Sequence, residues 1–417
     1  MNIATFVENL RRQGIELWTN GEQLSYRGNA QALTPAMLGT LKAHKVDLIQ
    51  WLTTQSATAP AQQSVDFSLL FFASNQAEFT HNKYQLMLNA TRFADQRGFK
   101  AVWLPERHFH AFGGLYPNPS VLAAALAMTT RQIRLRAGSV VIPLQNPIRV
   151  AEEWAVVDNL SGGRVDLAFA QGWNARDFVL APSAYPQRLN LLWDGMEQVR
   201  RLWRGESIEL PDGNGKPAAI QTFPLPQQPE LAVWATCSGG TERFIEAGAK
   251  GVNVLTALLF QTPEELADKI AAYRKARADH GFEGPGHVTL MLHTLIGHDL
   301  AAVKATVKAP FIAYLNSSVD LWRQQMQGLD ELAEEDREAV LEYAFERYFE
   351  TAALFGTPDS CAAKVTQLRQ LGVDEIACLL DFGVGADQVL EHLGPLDQLR
   401  TRFATSDTAP VTLSPTH

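Results

Sequence analysis

Apolar and polar positions in the first part of the chain follow two different periods. Ile3, Phe6, Val7 and Leu10 recur at i, i+3, i+4 and i+7, the spacing of one helical face. Ile15 and Leu17 then alternate with polar neighbours, as do Leu24 and Tyr26, and Asn20-Gly21 lies between the two runs. That dipeptide suits a tight hairpin turn because both central residues need positive φ. Thr34-Pro35 opens a further helix, with Thr as N-cap and Pro at the first helical position. Met37, Leu38, Leu41, Leu48 and Leu52 supply its apolar side. The pattern predicts a small helix–hairpin–helix unit over residues 1–55. A unit that short has a marginal core, which suits self-association or a partner surface.

Residues 53–64, TTQSATAPAQQS, carry no large apolar group. They predict a coil spanning about 20 Å, which places a linker at 56–65. From there strands and helices alternate. Strand-like runs fall at 67–73, 101–104, 133–141, 165–170, 231–235, 251–255, 288–296 and 375–381. Thr262-Pro263-Glu264-Glu265 is a capping box that opens a helix through Tyr273, and Thr357-Pro358 opens another. Residues 305–355 read as a mostly helical insertion. Eight strands with helical crossovers in about 340 residues predict an α/β fold, a (β/α)8 barrel over residues 66–405. Residues 406–417 read as a flexible tail. An open doubly wound sheet is disfavoured, since no GxGxxG follows the first strand.

Composition narrows the function classes. Among 417 residues, 46% are hydrophobic and 19% charged, so a large core is available. The net charge of −9 argues against nucleic acid as a partner. The small unit carries five basic and four acidic residues, so the acidity belongs to the barrel. Cys237, Cys361 and Cys378 cannot all pair and form no CxxC, which reads as a reduced, cytoplasmic chain. Neither a signal peptide nor a membrane span is expected.

The chemistry of a barrel sits behind its strand C-termini. After the second strand comes Pro105-Glu106-Arg107-His108-Phe109-His110. If that strand continues, Glu106, His108 and His110 share a face and, with Asp381, offer a metal site. The alternatives are a polar floor for an organic substrate, or structural histidines. After the fifth strand, Thr236-Cys237-Ser238-Gly239-Gly240-Thr241 enters an amphipathic helix. It reads either as an anion cradle of free N–H groups or as an ordinary glycine-rich turn. Cys237 alone reads as a small buried residue. After the fourth strand, Gln171-Gly172-Trp173-Asn174 allows a planar ligand near the backbone, or simply a turn beside a core tryptophan.

Three long segments carry a resemblance: FKAVWLPERHFHAFGGLYPNPSVLAAALA, RAGSVVIPLQNPIRVAEEWAVVDNLSGGRVDLAFAQGW and GTPDSCAAKVTQLRQLGVDEIACLLDFG. In this order they resemble the bacterial luciferase-like, flavin-dependent monooxygenases, of the type encoded with nonribosomal peptide and polyketide assembly lines. Separately, FVENLRRQGIELWTNGEQLSYRGNAQALTPAMLGTLKAHKVDLIQWL resembles the TubC-type N-terminal docking domain, which joins successive assembly-line subunits.

The first resemblance implies a flavin site. It places a non-prolyl cis peptide at Gly138-Ser139 beneath the ring. Gln171, Gly172 and Trp173 fall at ring- and ribityl-side positions, Arg188 at a flavin-phosphate arginine, and Ser238, Gly239, Gly240 and Thr241 at the phosphate loop. Glu106, Arg107 and His108 are the implied catalytic residues. Where luciferases carry Glu-His-His-Phe, this chain has Arg107 in place of the first histidine, and arginine is no base at neutral pH. Arg107 would instead anchor an anion such as a carboxylate or a phosphopantetheine phosphate, or steady an oxygenated flavin. His108 remains as a proton donor, and light emission is not expected.

The implied activity is a two-component monooxygenase. A separate flavin reductase supplies reduced FMN, O2 is co-substrate, and the protein is a homodimer. Residues 1–55 would recruit an assembly-line subunit or carrier protein bearing the substrate. Two rival readings are a metal-dependent hydrolase barrel and a docking adaptor whose barrel has lost catalysis. A nearer variant is a deazaflavin-dependent oxidoreductase, which uses no oxygen.

Overall fold

The structure, a computed structural model, describes residues 6–7, 10, 15–19, 24–28, 34–49, 64–72, 83–109, 114–259, 261–317 and 334–404. It divides into two compact units, Met1–Ser64 and Val65–His417. The expected turn at Asn20-Gly21, most of the linker, His110 and the tail lie outside the described residues.

In the first unit, Ile15–Thr19 pairs antiparallel with Leu24–Gly28, setting Leu17 opposite Tyr26 as the alternation predicts. Phe6, Val7 and Leu10 are helical. Val7, Leu10, Leu41 and Leu48 are buried. The Thr34 hydroxyl accepts the Met37 N–H at 3.3 Å and so caps the helix Pro35–Ala43.

The second unit is a closed barrel of eight parallel strands: β1 (Asp66–Leu70), β2 (Ala101–Leu104), β3 (Arg134–Val141), β4 (Val165–Ala170), β5 (Val233–Thr236), β6 (Asn253–Ala257), β7 (Val288–Ile296) and β8 (Glu375–Leu379). Each pairs with its neighbour in sequence. β8 closes the ring on β1, with Glu375 opposite Asp66 and Leu379 opposite Leu70. The helices that matter below are α1 (Gln85–Arg97), α2 (Pro119–Ala127), α3 (Pro147–Ser161), α4 (Arg188–Trp203), α5 (Thr241–Ala249) and α6 (Pro263–Asp279). The Thr262 capping box is present and α6 runs to Asp279, beyond the Tyr273 read from sequence.

Several boundaries move. β1 ends at Leu70 and β8 at Leu379, short of 73 and 381, so Phe72 and Asp381 belong to the loops. β5 and β6 begin at Val233 and Asn253, later than 231 and 251. The insertion starts earlier than 305, with α7 (Leu300–Ser317) and α8 (Glu334–Thr351). It ends in a short strand, Leu354–Gly356, that pairs with β7. An outlying hairpin, Ile208–Pro211 with Pro217–Ile220, was not legible because proline ends both strands.

The floor of the barrel is polar. Arg136 reaches Asp166 at 2.7 Å and Glu375 at 2.7 Å, and its guanidinium lies 4.8 Å and 4.5 Å from the Trp103 and Trp234 rings. Glu375 also accepts from Ser68 at 2.6 Å and lies 3.0 Å from His287. Burial alone would raise the Glu375 pKa. Arg136, His287 and Ser68 outweigh it and hold the carboxyl well below the usual range. Charges this deep persist only because each has a hydrogen-bonded counter-charge, and removing one partner of such a pair costs about 3–5 kcal/mol.

Candidate active site

Along β3 to β7, Gly138, Ala170, Thr236, Ala257 and Met291 keep accessible surface while most strand positions around them are buried. Ala170, Thr236 and Ala257 end their strands, on the side where a barrel carries its chemistry. The candidate residues stand at that end.

Beyond β2 the strand does not continue. Pro105 has no N–H for the ladder, and Phe109 takes a left-handed φ of 51°. Glu106 and His108, two positions apart, meet there, with His108 Nε2 2.9 Å from Glu106 Oε1. Glu106 is buried, accepts the Val141 N–H at 2.8 Å and accepts from Gln145 Nε2 at 2.5 Å. The hydrogen bond to Glu106 raises the His108 pKa above its ordinary value, against the effect of burial. His108 thus carries its proton to higher pH than a free imidazole. Arg107 is buried, its guanidinium 4.9 Å from the Phe72 ring and 5.5 Å from the Trp173 ring. Burial lowers its pKa against the pull of Tyr314 and Asp177.

The peptide bond between Gly138 and Ser139 is cis, and the β3–β4 register shifts between Gly138 and Val140. A Cβ on Gly138 would lie 3.1 Å from Trp103, so a side chain there presses on the indole. The Ser139 hydroxyl bonds the Thr236 hydroxyl and ties the end of β3 to that of β5. Gly172 has φ 74°, and a Cβ there would meet Phe178 and Val141 at 2.9 Å. Only glycine fits this backbone and this approach.

Arg188 opens α4. Its Nη1 donates to the Tyr185 carbonyl at 2.9 Å, and its guanidinium lies 4.4 Å from the Tyr185 ring. Tyr185 packs on Phe178 at 4.9 Å, and Phe178 lies against Gly172. At the two ends of this chain of contacts are two buried polar atoms with no hydrogen-bond partner, Gln171 Oε1 and Arg188 Nε. A buried polar atom left unpaired costs about 1–3 kcal/mol, so both fit a polar ligand that satisfies them.

Ser238, Gly239 and Gly240 are exposed, and α5 starts at Thr241 with Gly240 as N-cap and no side-chain cap. The free N–H groups of that first turn suit an anion. Lys269 steadies the loop, donating to the Gly239 carbonyl at 3.2 Å and to Gln261 at 2.9 Å. Glu242 is the one acidic residue in the turn, and its carboxylate lies beside Gly240.

Sequence reasoning missed four groups. Asp177 sits beyond Trp173 and accepts from Asn174 at 2.8 Å. Burial raises its pKa against the pull of Arg107 and His108. Tyr314 of α7 lies close enough to Arg107 and Asp381 to feel both charges. Tyr116 donates its hydroxyl to Asp381 at 3.1 Å. His293 on β7 is fully buried among Phe311, Tyr314, Tyr348 and Phe382. Only the insertion places α7 and α8 near the strand ends, and no local pattern announces that.

Of the residues of the metal reading, His110 lies outside the described residues, and the described ones have other partners. Glu106 is engaged by Val141, Gln145 and His108, and Asp381 by Phe72 and Tyr116. Among the described residues no three His, Cys, Asp or Glu groups come together as a metal cluster. Cys237 is buried, and burial pushes its thiol up to about 12, which leaves no thiolate nucleophile at neutral pH. Among the described residues no helix is long and apolar enough to cross a membrane.

Comparison with known proteins agrees with this geometry. Residues 65–375 match the family model of the luciferase-like monooxygenases, and residues 3–53 match that of the TubC N-terminal docking domain. The oxygenase component of a flavin-dependent trigonelline monooxygenase from Acinetobacter baylyi is 25% identical over 319 residues, 73% of this chain and 85% of that protein. Monooxygenase RslO1 from Streptomyces bottropensis shares the fold at TM-score 0.67 and 22% identity, over 81% of this chain and 100% of the other. The oxygenating constituent of 3,6-diketocamphane monooxygenase from Pseudomonas putida, solved with FMN, does so at TM-score 0.62 and 16% identity, over 85% and 100%. The chain belongs to the luciferase-like monooxygenase family and is a flavin-dependent enzyme of that family with a TubC-type docking domain at its N-terminus.

Proposed function

We propose that this chain is the oxygenase of a two-component system that uses reduced FMN and O2, and that it acts on an intermediate of a nonribosomal peptide or polyketide assembly line. The pair of unsatisfied buried atoms, Gln171 Oε1 and Arg188 Nε, carries the cofactor half of this reading. Arg188 and the open turn at Ser238, Gly239, Gly240 and Thr241 would hold the FMN phosphate. Gln171, Gly172, Trp173 and the Gly138-Ser139 bond would line the ring and ribityl chain. When bound, reduced FMN supplies the electrons that activate O2, and one oxygen atom passes to an organic substrate.

The protein's own part is binding, water exclusion and proton handling. His108, held by Glu106, keeps its proton to higher pH than a free imidazole. Arg107 holds its charge between Phe72 and Trp173, where a carboxylate or phosphate oxyanion of the substrate would meet it. The docking unit supports recruitment of a carrier-bound substrate by tethering, which raises local concentration without a tight active-site fit. Val121 and Met128 at α2, and Val156 and Leu160 on α3, are exposed apolar side chains on adjoining helices. They support a homodimer through that face.

The test is anaerobic titration with reduced FMN and, separately, with a reduced deazaflavin, followed by mixing with O2. Saturable FMN binding and flavin reoxidation that depends on O2 are expected. Binding of the deazaflavin alone, with no oxygen consumption, would replace this reading by the oxidoreductase variant.

A further inference from the structure

Asp381 stands just beyond β8, Phe72 just beyond β1, and Tyr116 in the segment between β2 and α2. Asp381 Oδ1 accepts the Phe72 N–H at 2.6 Å, and Oδ2 accepts the Tyr116 hydroxyl at 3.1 Å. Both partners also touch Arg107, from different sides. The Phe72 ring lies 4.9 Å from the guanidinium carbon. The Tyr116 carbonyl accepts the Arg107 N–H at 2.9 Å. One carboxylate therefore fixes the platform under the Arg107 side chain and the anchor of its backbone together.

We propose that Asp381 is a positioning residue for Arg107, setting where the guanidinium stands over the barrel mouth. The proposal rests on the reading that Arg107 faces the substrate beside the flavin. The physical need is clear from the burial of Arg107. Removing a guanidinium from water works against its charge, so an arginine free to move turns out to solvent. Two charge-assisted bonds to a buried carboxylate oppose that by fixing two loops at once. The same geometry explains why an acidic residue closes β8. The two carboxylate oxygens each take one partner, and an apolar residue at 381 can hold neither.

The experiment uses the full chain and phenylglyoxal, which modifies accessible arginine, with the extent at each arginine read by peptide mass mapping. Arg136, buried in the barrel floor, is the internal reference. Asp381→Ala removes both acceptors and is expected to raise labelling of Arg107 by about tenfold or more, at least the factor that loss of one hydrogen bond to a charged acceptor carries. Arg136 should label as in the parent protein. Tyr116→Phe removes only the hydroxyl arm and should give a smaller rise at Arg107 alone. It also keeps the test open if Asp381→Ala fails to fold. A merely structural Asp381 would loosen the barrel, and Arg136 and Arg107 would rise in parallel, which overturns the proposal. Unchanged Arg107 labelling in both variants overturns it as well. Reduced-FMN affinity is measured in the same variants and should stay within about twofold, because Asp381 is outside the phosphate cradle. Loss of FMN binding in the parent protein would instead sink the flavin reading and leave the Arg107 result standing.

Discussion

His293 gives a prediction whose size follows from its surroundings. The imidazole is fully buried, its Nδ1 lies 2.9 Å from the Tyr348 hydroxyl, and its Nε2 has no partner. If the phenol donates to Nδ1, only the Nε2 N–H is left unpaired. The reverse tautomer leaves both the Nε2 lone pair and the phenol hydrogen unpaired, so the first arrangement is favoured. Four aromatic rings surround the group, and burial lowers its pKa from the ordinary 6.5 to about 3. The unfolded chain takes up a proton near 6.5 while the folded chain refuses it until about 3. Its stabilising effect is therefore complete above 6.5 and fades as pH falls from there toward 3. Linkage puts the loss at about 2 kcal/mol by pH 5, and at about 5 kcal/mol below the folded pKa. His108 does not cancel this. Its pKa is raised, so its contribution is already complete below the unfolded value and is lost only as pH rises.

The comparison protein is His293→Phe with Tyr348→Phe, which removes both hydrogen-bonding partners and leaves no orphaned hydroxyl. Urea midpoints, followed by near-ultraviolet circular dichroism at pH 7.5 and pH 5, give the pH-dependent loss for each protein. Titrating carboxylates are common to both and drop out of the difference. The parent protein is expected to lose about 2 kcal/mol more than the double variant over this interval. Equal losses would refute the reasoning, because His293 would then be taking up its proton inside the fold.

Other outcomes follow from the same geometry. Arg188→Ala should weaken reduced-FMN binding by about 1.5–3 kcal/mol, the scale for a hydrogen bond to a charged group. Unchanged affinity in anaerobic titration would remove Arg188 from the site. Deleting residues 1–55 should spare flavin reoxidation and impair turnover with the cognate assembly-line subunit, and equal turnover would remove the recruitment role. Val121→Lys with Leu160→Lys should convert a dimer to monomers in light scattering, since buried like charges on facing copies repel. A dimer that persists would move the contact to another face.

The barrel was legible because its signals are local and repeat. Strand runs, the Thr262 capping box and the Thr357-Pro358 helix start each fix their own element, and β2, β4 and β7 have the expected limits. The expected cis peptide is also present at Gly138-Ser139. What escaped was long-range. Glu106, His108 and Asp381 have metal-ligand chemistry in one dimension. In the fold Glu106 bonds Val141, Gln145 and His108, and Asp381 bonds Phe72 and Tyr116. Asp381 meets Phe72, 309 positions away in sequence. A sequence lists which groups a site can use. Which of them share a proton or a bond depends on loops that leave separate strands of the ring, and here Asp381, which the sequence offers only to the rival metal reading, bonds Phe72 and Tyr116 on two of those loops.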